Sequence, residues 1–143
     1  MATRNGSAIW QGDLQTGTGE VTVGNGVFQG NYSFVSRFQD GDGTNPEELI
    51  AAAHAGCYSM QLSAMLAGAG TPATSVDTSA VCRLEMIEGV PTITRIALTT
   101  VGDVPGLTEE QFQATAAEAK AACLVSRALA GVGEITLKAS LKA

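Results

Sequence analysis

Hydrophobic and polar positions alternate at both ends of this chain and give way in between to a long apolar run. Ala8-Ile9-Trp10 reads as a short strand, and Gly12-Asp13 and Gly17-Thr18-Gly19 read as turns. Glu20-Val21-Thr22-Val23 alternates and predicts a second strand, closed by Gly24-Asn25-Gly26. Val27-Phe28 and the stretch Tyr32 to Phe38 predict a third, split strand. Residues 7–38 are therefore expected to form a small antiparallel meander.

The alternation stops at Thr44. Asn45 is a good helix N-cap, Pro46 fits the first helical position, and Glu48 completes a capping box. Leu49, Ile50, Ala51, Ala52, Ala53, Ala55, Met60, Leu62, Met65 and Leu66 then make almost every face apolar, until Gly68-Ala69-Gly70 and Pro72 end the run. A helix apolar all round belongs inside a fold. The run is long enough for a membrane span, but Glu47, Glu48, His54, Ser59, Gln61 and Ser63 interrupt it. A central buried helix over residues 45–67 is expected.

Period two returns after Ser75. Ala80, Cys82, Leu84 and Met86 share one face of a strand, with Val81, Arg83, Glu85 and Ile87 on the other. Glu88-Gly89 is a hairpin signal, and Pro91 to Val101 alternates as the returning strand, so residues 75–101 predict a β hairpin. Thr108 with Gln111 starts a second capping box, and Phe112, Ala116, Ala119 and Cys123 continue at helical spacing. That predicts a second helical region over 108–130, ended by Gly131-Val132-Gly133, and a last strand over 134–141. The expected class is α+β: one domain over 1–143, with antiparallel sheet and two main helices.

Composition narrows the functional classes. Hydrophobic residues make up 45% and charged residues 15%, which suits a packed core and not a disordered chain. A net charge of −6 argues against nucleic acid or an anionic membrane as partner. Met1 to Gly6 has no apolar h-region, so no signal peptide is expected, which points to the cytoplasm. Three cysteines, Cys57, Cys82 and Cys123, are an odd set for a disulfide framework. With one histidine and no C-x-x-C they are also a poor zinc set, so neither metal nor cofactor is expected.

The candidate chemistry lies on the central helix. Cys57 follows His54, the only histidine, by three residues, so the two share a helix face. A free cysteine is most often a small buried hydrophobe. A hydrogen-bonding His54 would favour its thiolate, the reactive form. For His54 itself the expected role is a core histidine satisfied by a backbone carbonyl. Cys123 lies on the second helix, where core packing competes with a role as partner of Cys57; spacing alone does not place the two in bonding range. Cys82 falls on an apolar strand face and is expected to pack. Arg37 is either a surface cation or a guanidinium delivered to the thiol, and Glu48 is at least a capping residue.

Several segments taken together resemble the OsmC/Ohr family, in its osmotically inducible protein C branch. They are Trp10-Gln11-Gly12-Asp13, Arg37-Phe38, Gly43 to Leu49, Ala52-Ala53-His54-Ala55-Gly56-Cys57 and Ala121-Ala122-Cys123-Leu124-Val125-Ser126, and the likeness spans essentially the whole chain. The resemblance implies an OsmC-like fold, an intertwined homodimer, and a thiol-dependent peroxidase reducing organic hydroperoxides to alcohols in oxidative and osmotic stress. It makes Cys57 the peroxidatic and Cys123 the resolving cysteine. Arg37 and Glu48 become the activating ion pair, and an external thiol or dithiol becomes the reductant. The hydroperoxide resistance branch carries its arginine near the first hairpin; here that stretch, Gly17 to Val21, has none, so Arg37 takes the role. Leu124 stands where many relatives have proline, which bears on the helix break at Cys123 but not on the thiol.

Helical arithmetic adds one expectation. Nine steps from Glu48 to Cys57 amount to about half a revolution and roughly 13 Å. In one straight helix the two point opposite ways, so either the helix breaks or a shared site draws Glu48 and Cys57 from different subunits; the second fits a helix buried in a two-fold dimer. Two rivals keep the fold and change the function: a dimeric binding module for an apolar ligand with inert cysteines, and a general thiol–disulfide oxidoreductase, which the absence of C-x-x-C disfavours.

Overall fold

Caps and turns decide where the elements begin and end in the computed structural model, which describes all 143 residues. The chain divides into two compact units, Met1–Leu49 and Ile50–Ala143.

In the first unit β1 (Gly6–Gln11), β2 (Thr18–Val23) and β3 (Phe28–Tyr32) form an antiparallel sheet in that order. Trp10 and Tyr32 stack across it with ring centroids 5.3 Å apart. They do so over Gly19, where a Cβ would collide with both rings. The stretch expected to finish the third strand is helical instead: α1 spans Phe34–Phe38. The reason is local. Ser33 caps the helix by accepting from the Ser36 amide, and Ser36 Oγ accepts from the Ser33 amide, a reciprocal box that outweighs strand alternation over five residues.

The helix α2 runs Pro46–Gly68. Its start is capped by Asn45, whose Oδ1 accepts from the Glu48 amide at 2.8 Å. The other half of the expected box is absent, because the Glu48 carboxylate accepts from the Thr44 hydroxyl at 3.0 Å.

In the second unit α2 buries one stripe, His54, Tyr58, Leu62 and Leu66, spaced four residues apart. Ala52, Ala53, Gly56, Met60 and Ala64 on its other side stay exposed within the single chain. Thr71 stops the helix by donating its amide to the Leu66 carbonyl. The strands β4 (Ser75–Ile87) and β5 (Val90–Asp103) pair antiparallel around Glu88 and Gly89, both at positive φ, as a two-residue primed turn requires. Then come α3 (Glu109–Ala122), α4 (Leu124–Ala128) and β6 (Glu134–Leu141).

Two features differ from expectation. First, β6 pairs with β5 in parallel, in the sheet order β4-β5-β6. The α3–α4 segment forms the crossover that carries the chain back to begin β6 beside Arg95 of β5. Second, the second helical region is two helices, broken at Cys123, whose ψ of 125° is extended. The break forms with Leu124 in the following position, so proline is not required for it. The core of this unit gathers Tyr58, Leu62, Leu66, Leu98, Val104, Phe112, Ala116, Ala119 and Cys123. Gly102 leaves room for the Phe112 ring, which a Cβ there would meet at 2.5 Å.

Candidate active site

The site residues fall into two groups, one in each unit. In the first unit α1 delivers Arg37. Ser36 Oγ donates to the Thr44 carbonyl at 2.7 Å, and Asn45 Nδ2 donates to the Ser36 carbonyl at 2.9 Å, so α1 is tied to the start of α2. The tie sets Arg37 against Glu47, not the expected Glu48. Arg37 Nη2 lies 2.7 Å from Glu47 Oε1, with Nε 3.1 and 3.3 Å from the two carboxylate oxygens. Glu47 is 8% exposed and Glu48 points to Thr44, so successive residues of one helix turn divide the work. The physical reason is the 100° between helical neighbours, which lets only one of them face α1.

A side-on pair of this kind occupies Nε and one N–H of Nη2, and leaves three N–H donors of the guanidinium for another acceptor. The guanidinium also sits 5.2 Å from the Phe38 ring centroid. Arg37 lines a cavity of about 260 Å³ with Trp10, Leu14, Tyr32, Ser33, Phe34 and Phe38. An apolar, aromatic cavity with one cation in its wall suits a ligand that is greasy at one end and electron-rich at the other.

The second group holds the thiols. Cys57, half-buried on α2, and Cys123, fully buried at the α3–α4 break, are both free, with sulfurs 3.4 Å apart. A disulfide of about 2.05 Å needs roughly 1.4 Å of further approach. Burial pushes the Cys57 thiol up, and its contact with Cys123 adds to that, against smaller opposing effects of the Val125 and Leu124 amides. Burial pushes Cys123 up too, but the amide and hydroxyl of Ser126, the Cys57 thiol and the Val125 amide outweigh it and hold the group below its ordinary value.

His54 is fully buried, as expected, but its partner is not a backbone carbonyl: Nε2 lies 2.7 Å from Ser126 Oγ. Tyr58 donates its hydroxyl to the Ala116 carbonyl at 2.9 Å, locking α2 against α3 beside the thiols. Cys82 is half-buried on β4. Glu47, Ser126 and the aromatic lining are the residues that sequence reasoning missed. Of these only Ser126 left a signal, three residues after Cys123. No group of three or more His, Cys, Asp or Glu is placed to hold a metal ion. No helix is long and apolar enough to cross a membrane.

Comparison with known proteins gives the family. Residues 39–138 match the model of the OsmC family, described as OsmC-like protein. The chain is 46% identical over 140 residues to peroxiredoxin OsmC of Escherichia coli, covering 97% of this chain and 96% of that one. Among solved structures, an organic hydroperoxide resistance protein from Elizabethkingia anophelis superposes with a TM-score of 0.80 at 25% identity, covering 99% of this chain and 98% of that one. The organic hydroperoxide resistance protein OhrB of Bacillus subtilis shares the fold with a TM-score of 0.71 at 23% identity, over 96% and 98% of the two chains. The dithiol, the cation-bearing aromatic cavity and these likenesses lead to one assignment: the chain belongs to the OsmC-like protein family.

Proposed function

We propose that this protein is a thiol-dependent peroxidase that reduces organic hydroperoxides to alcohols. The observation that carries the reading is the pair of free sulfurs 3.4 Å apart, one half-buried and one fully buried. Cys57, the more accessible, attacks the peroxide O–O bond as thiolate. The alkoxide leaves as alcohol and Cys57 becomes a sulfenic acid. Cys123 then attacks that sulfur, water departs and the Cys57–Cys123 disulfide forms. An external dithiol reduces it by exchange and resets the site.

Burial alone disfavours the Cys57 thiolate, so the reaction needs a cation at the sulfur. Arg37 supplies it, with Glu47 in the orienting role first expected of Glu48. The donors of Arg37 left over from the ion pair stabilise the thiolate and the developing alkoxide. The aromatic cavity beside Arg37 takes the organic part of the substrate, favouring an alkyl or aryl hydroperoxide over hydrogen peroxide.

The active unit we propose is a homodimer, with Arg37 and Glu47 of one subunit serving Cys57 of the other. The exposed small-residue face of α2 and the exposed Met86, Ile87 and Val90 of the β4–β5 hairpin are apolar surface that a second copy would cover. A reducing compartment such as the cytoplasm, with a dithiol at hand, fits this chemistry.

Steady-state consumption of cumene hydroperoxide and hydrogen peroxide, with a dithiol as reductant, tests the reading. The expected result is a clear preference for the organic peroxide, with a Cys57–Cys123 disulfide by peptide mapping. Thiols that survive stoichiometric peroxide unchanged would point to a binding module instead.

A further inference from the structure

Three contacts run in register between α2 and the two helices that meet at Cys123. On the α4 side His54 Nε2 lies 2.7 Å from Ser126 Oγ. On the α3 side the Tyr58 hydroxyl donates to the Ala116 carbonyl at 2.9 Å. Between them the sulfurs of Cys57 and Cys123 stand 3.4 Å apart. Only the sulfurs have a part in the proposed peroxide chemistry. Yet His54, Tyr58 and Ala116 are fully buried and Ser126 nearly so, which shields both hydrogen bonds from water.

Cys123 needs such support because its backbone belongs to two helices at once. Its amide donates to the Ala119 carbonyl at the end of α3, and its carbonyl accepts from the Arg127 amide at the start of α4. Its extended ψ of 125° makes the residue a joint between the two. At five residues α4 is too short to stand without tertiary contacts, and its N-cap makes no side-chain cap bond. A sulfur at such a joint keeps its place only when both arms are held. The Tyr58 bond holds the α3 arm and the His54 bond the α4 arm. His54 acts as the donor. Its Nδ1 has no hydrogen-bond partner, and a proton there would bury an N–H with nothing to accept it. The proton therefore sits on Nε2 and is given to Ser126 Oγ.

We propose that His54 and Tyr58 are positioning residues for the resolving thiol: two hydrogen bonds, one to each helix, clamp Cys123 Sγ against Cys57 Sγ. The clamp rests on the peroxidase reading for its purpose. In resolution the Cys123 sulfur attacks the sulfur of the Cys57 sulfenic acid. The S–S bond forms, the S–O bond breaks, and hydroxide leaves as water with the proton that Cys123 gave up. The sooner this happens, the less time a second peroxide has to carry Cys57 on to sulfinic acid. The gain is one of proximity. A formed disulfide holds the two segments by its own bond, whereas the dithiol depends on the clamp. Deleting a clamp bond therefore loosens only the dithiol and lowers the effective concentration of one thiol at the other.

The clamp can be measured without peroxide. In a Cys82→Ser background the protein is equilibrated with reduced and oxidised glutathione. The oxidised form takes the two electrons and two protons of the dithiol and becomes two thiols. The fraction of Cys57–Cys123 disulfide then gives the effective concentration. His54→Leu, Ser126→Ala and Tyr58→Phe should each lower it roughly three- to tenfold, the scale of one hydrogen bond. His54→Leu combined with Tyr58→Phe should lower it further than either. His54→Gln, whose amide can still donate to Ser126, should return it to within about twofold of wild type. Leu66→Ala, at a buried position about two turns beyond Tyr58, should destabilise the fold but leave the effective concentration unchanged. An unmoved value in folded Ser126→Ala or Tyr58→Phe would overturn the clamp. So would an equal fall in Leu66→Ala, or a fall in His54→Leu that His54→Gln does not relieve. Should His54→Leu fail to fold, Ser126→Ala and Tyr58→Phe, each the loss of one oxygen, decide. A wild type that forms the disulfide with glutathione yet consumes no hydroperoxide sinks the peroxidase reading and leaves the clamp standing.

Discussion

The Arg37–Glu47 pair and the Cys57–Cys123 pair have opposite surroundings. The arginine is 37% exposed and meets its carboxylate through three close N–O contacts. The thiols are desolvated: Cys123 is fully buried, and burial is the largest influence on both sulfurs. With the guanidinium open to solvent and only the carboxylate buried, solvent screens the pair, so the fork is better explained by orientation than by folding energy. A buried thiol reacts slowly as a thiol and needs charge brought to it. What one region has in excess, oriented positive charge beside an apolar cavity, the other lacks.

Substitutions break that complementarity with graded severity. Cys57→Ser should abolish hydroperoxide reduction outright, whereas Cys82→Ser should leave it intact; normal turnover in Cys57→Ser would end the assignment. Arg37→Ala should reduce kcat/KM by roughly 10²–10³-fold, the scale of losing a preorganised donor to developing negative charge. Mixing sharpens the comparison further. Arg37→Ala and Cys57→Ser chains, each inactive, should regain up to about half the wild-type activity per heterodimer if one subunit's arginine serves the other's thiol. No recovery from verified heterodimers would place the arginine and thiol of one site in the same chain. Cys123→Ser should still react once with peroxide, then advance to sulfinic acid at Cys57 under excess oxidant, which mass spectrometry detects.

Truncating the packing under the thiols tests stability apart from chemistry. Leu62→Ala, in the fully buried stripe of α2, should cost about 2–5 kcal/mol by denaturant unfolding. Tyr58→Phe should cost less, about 0.5–1.5 kcal/mol, since it removes one hydrogen bond while the Ala116 carbonyl, inside α3, keeps its helical donor. If Leu62→Ala were neutral, the buried stripe of α2 would not be the core that holds the dithiol.

How much of this was legible beforehand depends on how local the cause is. Asn45, Pro46 and Gly68 bound α2 through interactions within a few residues, and Thr108 with Gln111 does the same for α3, so those starts could be read directly. The family motifs singled out both cysteines and Arg37. Phe34 to Phe38 misled because five residues of apolar and polar character fit a strand as well as a helix; the Ser33–Ser36 box was the discriminating sign. Glu47 was passed over because the capping rule favours Glu48, and only the placement of α1 decides which neighbour meets Arg37. The direction of β6 depends on a crossover of two helices, a matter of tertiary packing. Ser126 could not be linked to His54, because nothing in the chain between them encodes the approach of α4 to α2.

The smallest effect expected is on the pH dependence of stability, and it too separates the two regions. Burial holds His54 below its ordinary value, so the folded protein keeps the imidazole neutral at pH values where the unfolded chain already protonates it. Between the folded and unfolded values the unfolded state binds more protons, and stability therefore rises with pH. The contribution of His54 is complete above the unfolded value of about 6.5 and is lost as pH falls below it. His54→Gln carries no such group. Its unfolding free energy should be flatter than that of wild type between about pH 5 and 6.5, before carboxylates begin to titrate. Parallel curves for the two proteins across that window would mean that His54 is protonated alike in the folded and unfolded states, which the burial of its ring and its tie to Ser126 oppose.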